Sequence, residues 1–230
     1  MSKSITLSAN TLGILKVASQ INNAVLFRAG NEIKATTESG IIILQATIDE
    51  EWPRDFAILE LNRLLQVLNQ SAMTGAALHF EDGKECVEIK ASRSRVRYNF
   101  SDMEMVTSVD RTIVVEPNDV NLSFDLNEQT LNDVRKMAGV LAHSHLRIEC
   151  KDNTIKLITY DPKLDDLSNE YTTEIEVPEG ANFADGTFNI KLENMILLPG
   201  SHKVSIFKGV AAEFAHQTVK ASIFMGLEKM

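Results

Sequence analysis

His143, Ser144 and His145 are the first residues whose types could do chemistry, because two imidazoles two positions apart could share a metal ion. A structural or catalytic zinc needs three or four protein donors. No cysteine or carboxylate stands at ligand spacing from this pair, so the stretch is read as a turn between a helix and a strand. Cys86 and Cys150 each lie inside a strand-like run. Two thiols in 230 residues make no disulfide framework and point to a reducing compartment. Ser, His and Asp all occur, but nothing in the sequence brings them together. There is no G-x-S-x-G, no H-E-x-x-H and no phosphate loop. The expectation is a protein that is not an enzyme, with no catalytic residue, no metal and no cofactor.

What remains is a set of cations placed with unusual economy. "LSANTLGILKVASQIN" (Leu7–Asn22) contains no acid, and its one charge is Lys16. "LNRLLQVLNQ" (Leu61–Gln70) offers Arg63, again with no acid. "NEQTLNDVRKMAGVL" (Asn127–Leu141) offers Arg135 and Lys136, with Glu128 and Asp133 before them. The chain as a whole holds 32 acids against 23 bases, a formal net charge of −9. Acids gather at Asp49–Glu51, Glu81–Glu88 and Asp165–Glu179. Taken alone, an acidic balance argues against a conventional nucleic-acid binder. One exposed lysine on a helix is ordinary solvation. A pattern of acid-poor helices in an acidic chain is not.

The elements that must position these cations follow from periodicity. The three segments above have apolar residues at helical spacing: Leu12, Leu15, Ala18 and Ile21; Leu61, Leu64, Leu65 and Leu68; Leu131, Val134, Ala138 and Leu141. Lys16 falls opposite the first stripe. Ser8 and Asn127 suit N-caps, and Glu128 suits a helix N-terminus. A short fourth helix is expected at "ENMILLP" (Glu193–Pro199), closed by Pro199-Gly200. The remaining pattern has period two and is rich in branched and aromatic residues. It predicts strands at 24–29, 40–48, 56–61, 76–82, 86–92, 95–100, 121–126, 145–150, 154–160, 171–177, 187–192, 203–207, 211–216 and 219–224. Hairpin turns are expected at Gly30–Glu32 and Glu81–Glu85. Trp52, before Pro53, is read as a packing residue. No basic start followed by an apolar core marks a signal peptide, and no apolar run is long enough to span a membrane.

The chain also repeats itself. "LSANTL" (Leu7–Leu12) aligns with "LNEQTL" (Leu126–Leu131) at an offset of 119 residues. "AILELNRLL" (Ala57–Leu65) aligns with "FNIKLENMI" (Phe188–Ile196) at 131. The drift fits an insertion at Asp161–Glu170. The simplest architecture is α+β: two repeated domains, each a strand-rich sheet with two helices on one face. The domains are 1–103 and 120–230, joined by a polar connector at 104–119.

"LSANTLGILKVASQINNAVLFRAG", "TFNIKLENMILLPGSHKVSIF" and the twofold repeat resemble the DNA polymerase sliding clamps, most closely the trimeric clamp of T-even-type tailed phages. The resemblance is weak along the whole chain and sharpest in those two stretches. It implies a closed ring of three subunits, with helices lining the hole and sheets outside. Duplex DNA would thread the hole, held without regard to sequence, and the ring would tether the polymerase. Lys16 and Lys136 match basic positions of such clamps; Arg63 and Arg135 are added from helix face alone. Ala9 and Gly139 stand where basic residues are expected, so this lining is less positive than usual. By the same resemblance, the edge strand Ser92–Phe100, with Arg93, Arg95, Arg97 and Tyr98, would meet a neighbour's Tyr171–Val177 strand, with Tyr171, Glu174 and Glu176. Partner peptides would dock near the connector on Ile113, Val114, Pro117 and Leu227, with Met103 and Met105 as further candidates. The implied partners are the polymerase, an ATP-driven clamp loader and late-transcription factors, in the cytoplasm of a host cell. Two rival readings remain: an α+β protein whose repeat encloses a ligand pocket, and a structural protein that oligomerises through strand edges.

Overall fold

The computed structural model describes residues 2–152, 154–163, 169–177 and 185–228. The chain divides into two compact units, Met1–Ile113 with Val219–Ala221, and Val114–Thr218 with Ser222–Met230. The first unit thus takes in three residues, Val219–Ala221, from the stretch expected to belong wholly to the second domain.

The first unit begins with β1 (Ser2–Ile5), α1 (Ala9–Ile21), β2 (Val25–Phe27), β3 (Gly30–Thr36), β4 (Ile42–Trp52) and β5 (Phe56–Ile58). It continues through α2 (Leu61–Leu68), β6 (Ala77–Glu81), β7 (Cys86–Lys90) and β8 (Arg95–Asn99). One antiparallel sheet runs β1-β6-β7-β8. Elsewhere β2 pairs with β5, and β3 with β4. Helix α1 packs on β3, β4 and α2. It buries Thr11, Ile14, Leu15, Val17, Ala18 and Ile21 and leaves Lys16 in solvent. The predicted stripe is close to this, except that Leu12 is only half-buried.

An aromatic cluster forms much of this unit's core. Phe27 stacks on Phe56 with centroids 4.7 Å apart, and Trp52 meets Phe27 edge-on at 5.2 Å. Phe80 and Phe100 complete it. Trp52 is 3% exposed, so it is a packing residue as its sequence context suggests.

The second unit repeats the order with β9 (Val120–Leu126), α3 (Glu128–Leu141), β10 (His145–Lys151), β11 (Thr154–Tyr160), β12 (Tyr171–Ile175) and β13 (Gly186–Lys191). A 3-10 turn at Leu192–Asn194 precedes β14 (His202–Phe207), β15 (Ala211–His216) and β16 (Ala221–Gly226). Its sheets run β12-β11-β10-β13 and β9-β14-β15-β16. Strand for strand, β9-β14-β15-β16 repeats β1-β6-β7-β8, and β13-β10 repeats β5-β2. The twofold duplication read from "LSANTL" and "LNEQTL" is therefore a duplication of topology.

Three expectations need correction. The fourth helix does not form: 193–199 makes one 3-10 turn and then runs irregularly, with Met195, Leu197 and Leu198 buried. Pro199 disfavours helical backbone at Leu198, and seven residues are too few to sustain a helix against that. Gly30–Glu32 is no hairpin turn. It opens β3 with a bulge against β4, and the hairpin reverses instead at Gly40, whose φ is +69°. Finally, β1 and β3 are strands that the sequence pattern does not announce. "SKSI" and "GNEIKAT" are too polar and charged to show a period-two signal, and pairing with β6 and β4 overrides their weak propensity.

One buried group in the second unit sets a pH limit. His202 is 1% exposed, and neither ring nitrogen has a side-chain hydrogen-bond partner among the described residues. Burial, with His216 and Arg135 nearby, pushes its pKa down from 6.5 to about 4. Between those values the unfolded chain binds a proton that the folded chain refuses. Stability is therefore complete above pH 6.5 and falls as pH drops towards 4, by about 3 kcal/mol in all. Urea unfolding at a series of pH values should follow this slope, and His202→Phe should flatten it.

Candidate nucleic-acid interface

The acid-free helix α1 raises a local problem. Its N-terminus gathers unsatisfied amides and positive dipole, which an acid in the first turn usually offsets. Ser8 caps one amide, accepting from Thr11 N at 3.2 Å. The missing carboxylate comes from β4. Glu50 accepts from the backbone N–H of Ser8 and from the Thr11 hydroxyl. Burial alone would raise the Glu50 pKa, but these hydrogen bonds outweigh it and leave it below the ordinary value. The charge that α1 needs thus sits at its end, on another element, and the exposed face stays free of acids. Glu50→Ala should cost about 1–2 kcal/mol in thermal or urea unfolding, the loss of a charged cap.

Lys16 stands in the middle of that face. Among the described residues it takes part in no ion pair, whereas most other lysines do. A groove of about 450 Å³ runs beside it between α1 and α2. Its walls include Lys16, Gln20, Asn62, Gln66 and Asn69, and no acid lines it. Arg63 is exposed but bound to Glu60, Nη1 to Oε2 at 2.7 Å. Glu60 stands just before the helix, outside the acid-free stretch.

On α3, Lys136 is exposed and in no ion pair among the described residues. Asp133, one turn earlier, is occupied by Gln129, whose amide donates to both carboxylate oxygens at 3.0 and 2.9 Å. Arg135 differs. It is half-buried, and its Nη2 donates to the Met195 carbonyl at 2.6 Å. Assigning Arg135 to an exposed face from helix position alone fails because a long side chain can reach back over a neighbouring segment. Here it binds the carbonyl that the missing fourth helix leaves without an intrahelical partner.

The two expected edges form shorter strands than expected, Arg95–Asn99 and Tyr171–Ile175. β8 is the end strand of its sheet, and β12 the end strand of its own. Just past β8, Phe100 joins the aromatic core, and on the strand the Tyr98 hydroxyl donates to Glu60 O at 2.9 Å, tying the edge to the start of α2. Arg95 and Arg97 alternate onto the opposite, exposed face, and Arg93 is exposed in the bend before the strand. There Glu88 is the only nearby carboxylate among the described residues, with Lys90 at 2.8 Å and Arg95 and Arg97 each at 4.0 Å. The Lys90 bond leads the interactions that hold Glu88 below its usual pKa. Three cations share one acid and Arg93 has none among the described residues, so the edge is positive. Along β12, Ile175 is buried and Tyr171 half-buried, while Glu174 and, just beyond the strand, Glu176 are exposed. Lys156 approaches Glu174 at 3.6 Å.

The remaining expected site residues are distributed between the units. Ile113, whose amide donates to Gln45 Oε1 at 2.9 Å, lies in the first. Val114, 70% exposed, lies in the second with Pro117 and Leu227. Met103 and Met105 are exposed in a 3-10 turn of the first. The two histidines of the expected turn are engaged within the protein: His143 Nδ1 lies 2.9 Å from Thr159 Oγ1, and His145 Nε2 2.8 Å from Glu228. Among the described residues no three metal-ligating side chains converge, and no helix is long and apolar enough to cross a membrane.

No family model matches the sequence. A sliding clamp from Vibrio phage KVP40 is 26% identical over 211 residues, spanning 90% of this chain and 93% of the relative. Among solved structures, the proliferating cellular nuclear antigen of Entamoeba histolytica superposes with a TM-score of 0.70 at 15% identity, over 99% of this chain and 98% of that one. The A. fulgidus PCNA, solved with the C-terminal region of FEN-1, gives 0.71 at 10% identity over the full length of both.

Proposed function

We infer that this chain is a DNA polymerase sliding clamp related to those of phages. The observation that carries this reading is end-to-end likeness to a phage clamp, in a chain that folds as two copies of one strand-rich unit. The chain acts as a processivity factor and needs no chemistry of its own: it holds duplex DNA by enclosure.

The chemistry of the helices fits that task. Lys16 and Lys136 attract phosphates without reading bases, and such contacts leave the duplex able to move. Arg63 contributes less, since Glu60 already neutralises it. Arg135 acts as an anchor for the Met195 segment and contacts DNA little or not at all.

The ring is a homotrimer closed through β8 and a neighbour's β12. Two observations support this. By the repeat, β8 corresponds to β16, and β12 to β4. The residues leading into β16 already meet β4 in the first unit, where Thr47 N donates to Lys220 O at 2.8 Å. The equivalent pairing is left open at β8 and β12, and those edges are oppositely charged. An interface that uses different surfaces on its two sides closes only as a ring or runs on as a filament.

Multimers and partner proteins are named for solved structures of this fold, a PCNA2–PCNA3 complex of Sulfolobus tokodaii and the PCNA with a FEN-1 segment. By that analogy, the polymerase docks through a short peptide on apolar residues near the connector, Ile113, Val114, Pro117 and Leu227. An ATP-driven loader opens the ring, late-transcription factors are further partners, and the host cytoplasm is the place of action. Light scattering after size exclusion tests the assembly. The expected mass at low salt is three times 25.6 kDa, falling as salt screens the charged edges. A monomer at every concentration would sink the ring and favour the pocket-enclosing reading.

A further inference from the structure

The groove between α1 and α2 is built from groups that a purely ionic attraction to DNA does not need. Lys16 supplies its one charge. Apart from Ser19, whose hydroxyl donates to the Lys16 carbonyl at 2.8 Å, the rest of its polar wall is amide: Gln20, Asn62, Gln66 and Asn69. All four are exposed, and among the described residues none of their side-chain amides is hydrogen-bonded within the protein. Half-buried Leu12 and buried Leu65 form its floor. An amide NH2 donates to an anionic oxygen as a neutral group. It strengthens the hold on a phosphate but neutralises no charge and releases no counterion.

We propose that this groove is a seat for one DNA strand's phosphodiester backbone, held by Lys16 together with neutral donors from Asn62, Gln66 and their neighbours. The proposal rests on the clamp reading. It adds a second kind of interaction, one that keeps its strength as salt rises. Each subunit carries one such seat. The second unit has a single α-helix among its described residues, and Arg135 is committed to Met195 where a helix pair would otherwise form a groove. An acid-free wall suits a phosphate and repels nothing on it. Four amide donors, three on the two helices and Asn69 capping α2, can pass a sliding phosphate from one to the next, which a single lysine does less evenly.

The test is the affinity of the intact protein for a short fluorescent duplex across a salt series. Asn62→Ala with Gln66→Ala should weaken binding roughly three- to tenfold at every salt concentration while leaving the slope of log K against log salt unchanged. Lys16→Ala should instead make that slope shallower, by about 0.9 for each phosphate that the lysine neutralises in the wild type. The isosteric pair Asn62→Asp with Gln66→Glu should weaken binding most at low salt. Unchanged ring mass shows that these exposed substitutions leave the fold intact. Wild-type affinity in the alanine pair overturns the proposal. So does an alanine pair that binds DNA normally but stimulates polymerase less, because the groove then belongs to a protein partner. Wild-type binding by Lys16→Ala combined with Lys136→Ala contradicts the lining reading itself and is a separate failure.

Discussion

Arg95→Glu combined with Arg97→Glu should convert the assembly to monomers of 25.6 kDa. The two arginines lie on the exposed face of an end strand and share Glu88 with Lys90. In the proposed ring, reversing them would set two new acids against Glu174 and Glu176 of a neighbour. Juxtaposed like charges cost several kcal/mol, and each 1.4 kcal/mol is a tenfold change in affinity, so dissociation should rise on the order of a thousandfold. The reverse change, Glu174→Arg with Glu176→Arg, should do the same from the other edge. A chain carrying all four substitutions should trimerise again, because every interface then joins a reversed β8 to a reversed β12. Mixing the two double variants should not restore a closed trimer. They can alternate along an open chain, but an odd ring must place two like edges together. Light scattering separates these outcomes. Trimeric mass in Arg95→Glu with Arg97→Glu would place the interface elsewhere.

Lys16→Glu combined with Lys136→Glu should leave the mass of the ring unchanged and weaken its hold on DNA more than tenfold at low salt. The effect should shrink as salt rises, because both lysines are exposed and screened. The background makes these positions matter. The chain carries a net charge of −9, so its far field repels DNA, and only local cations on acid-poor faces oppose that. Arg135→Ala is the informative contrast. It removes the donor to the Met195 carbonyl, and should lower unfolding stability by about 1–3 kcal/mol with DNA binding unchanged. Retention of labelled duplex and urea unfolding together check the pair. Loss of DNA binding in Arg135→Ala but not in Lys16→Glu with Lys136→Glu would reverse the assignment.

The features of this protein that are legible in its sequence are those written in local signals. Ser8 and Asn127 announce α1 and α3, and the structure shows both accepting from the third residue of the capped turn. The repeated Leu-cap-x-amide-Thr-Leu pattern gives the duplication. The alternation of arginine in "RSRVRYNF" gives an edge with one charged face. The features that are not legible depend on residues far apart in the chain. Glu50 caps α1 from β4, 42 positions beyond Ser8, so the sequence around the acid-free helix shows no acid to offset its N-terminal dipole. Glu60 lies one residue outside the helix whose arginine it binds. Arg135 and Lys136 are adjacent and alike in type, and only the path of the Met195 segment separates an anchor from an exposed cation. β3 carries Glu32 and Lys34 because one of its faces is solvated, and its strand character comes from β4.

The central claim is enclosure, and topology tests it most directly. Subunits dissociated at high salt can be allowed to reassemble around nicked circular duplex as salt is lowered. They are then separated from free protein by gel filtration. The clamp reading predicts that protein stays with the circle, and that a single cut with a restriction enzyme releases it from the freed ends. Equal retention on circular and linear DNA would mean that the protein grips the duplex rather than encircling it, and would contradict the clamp.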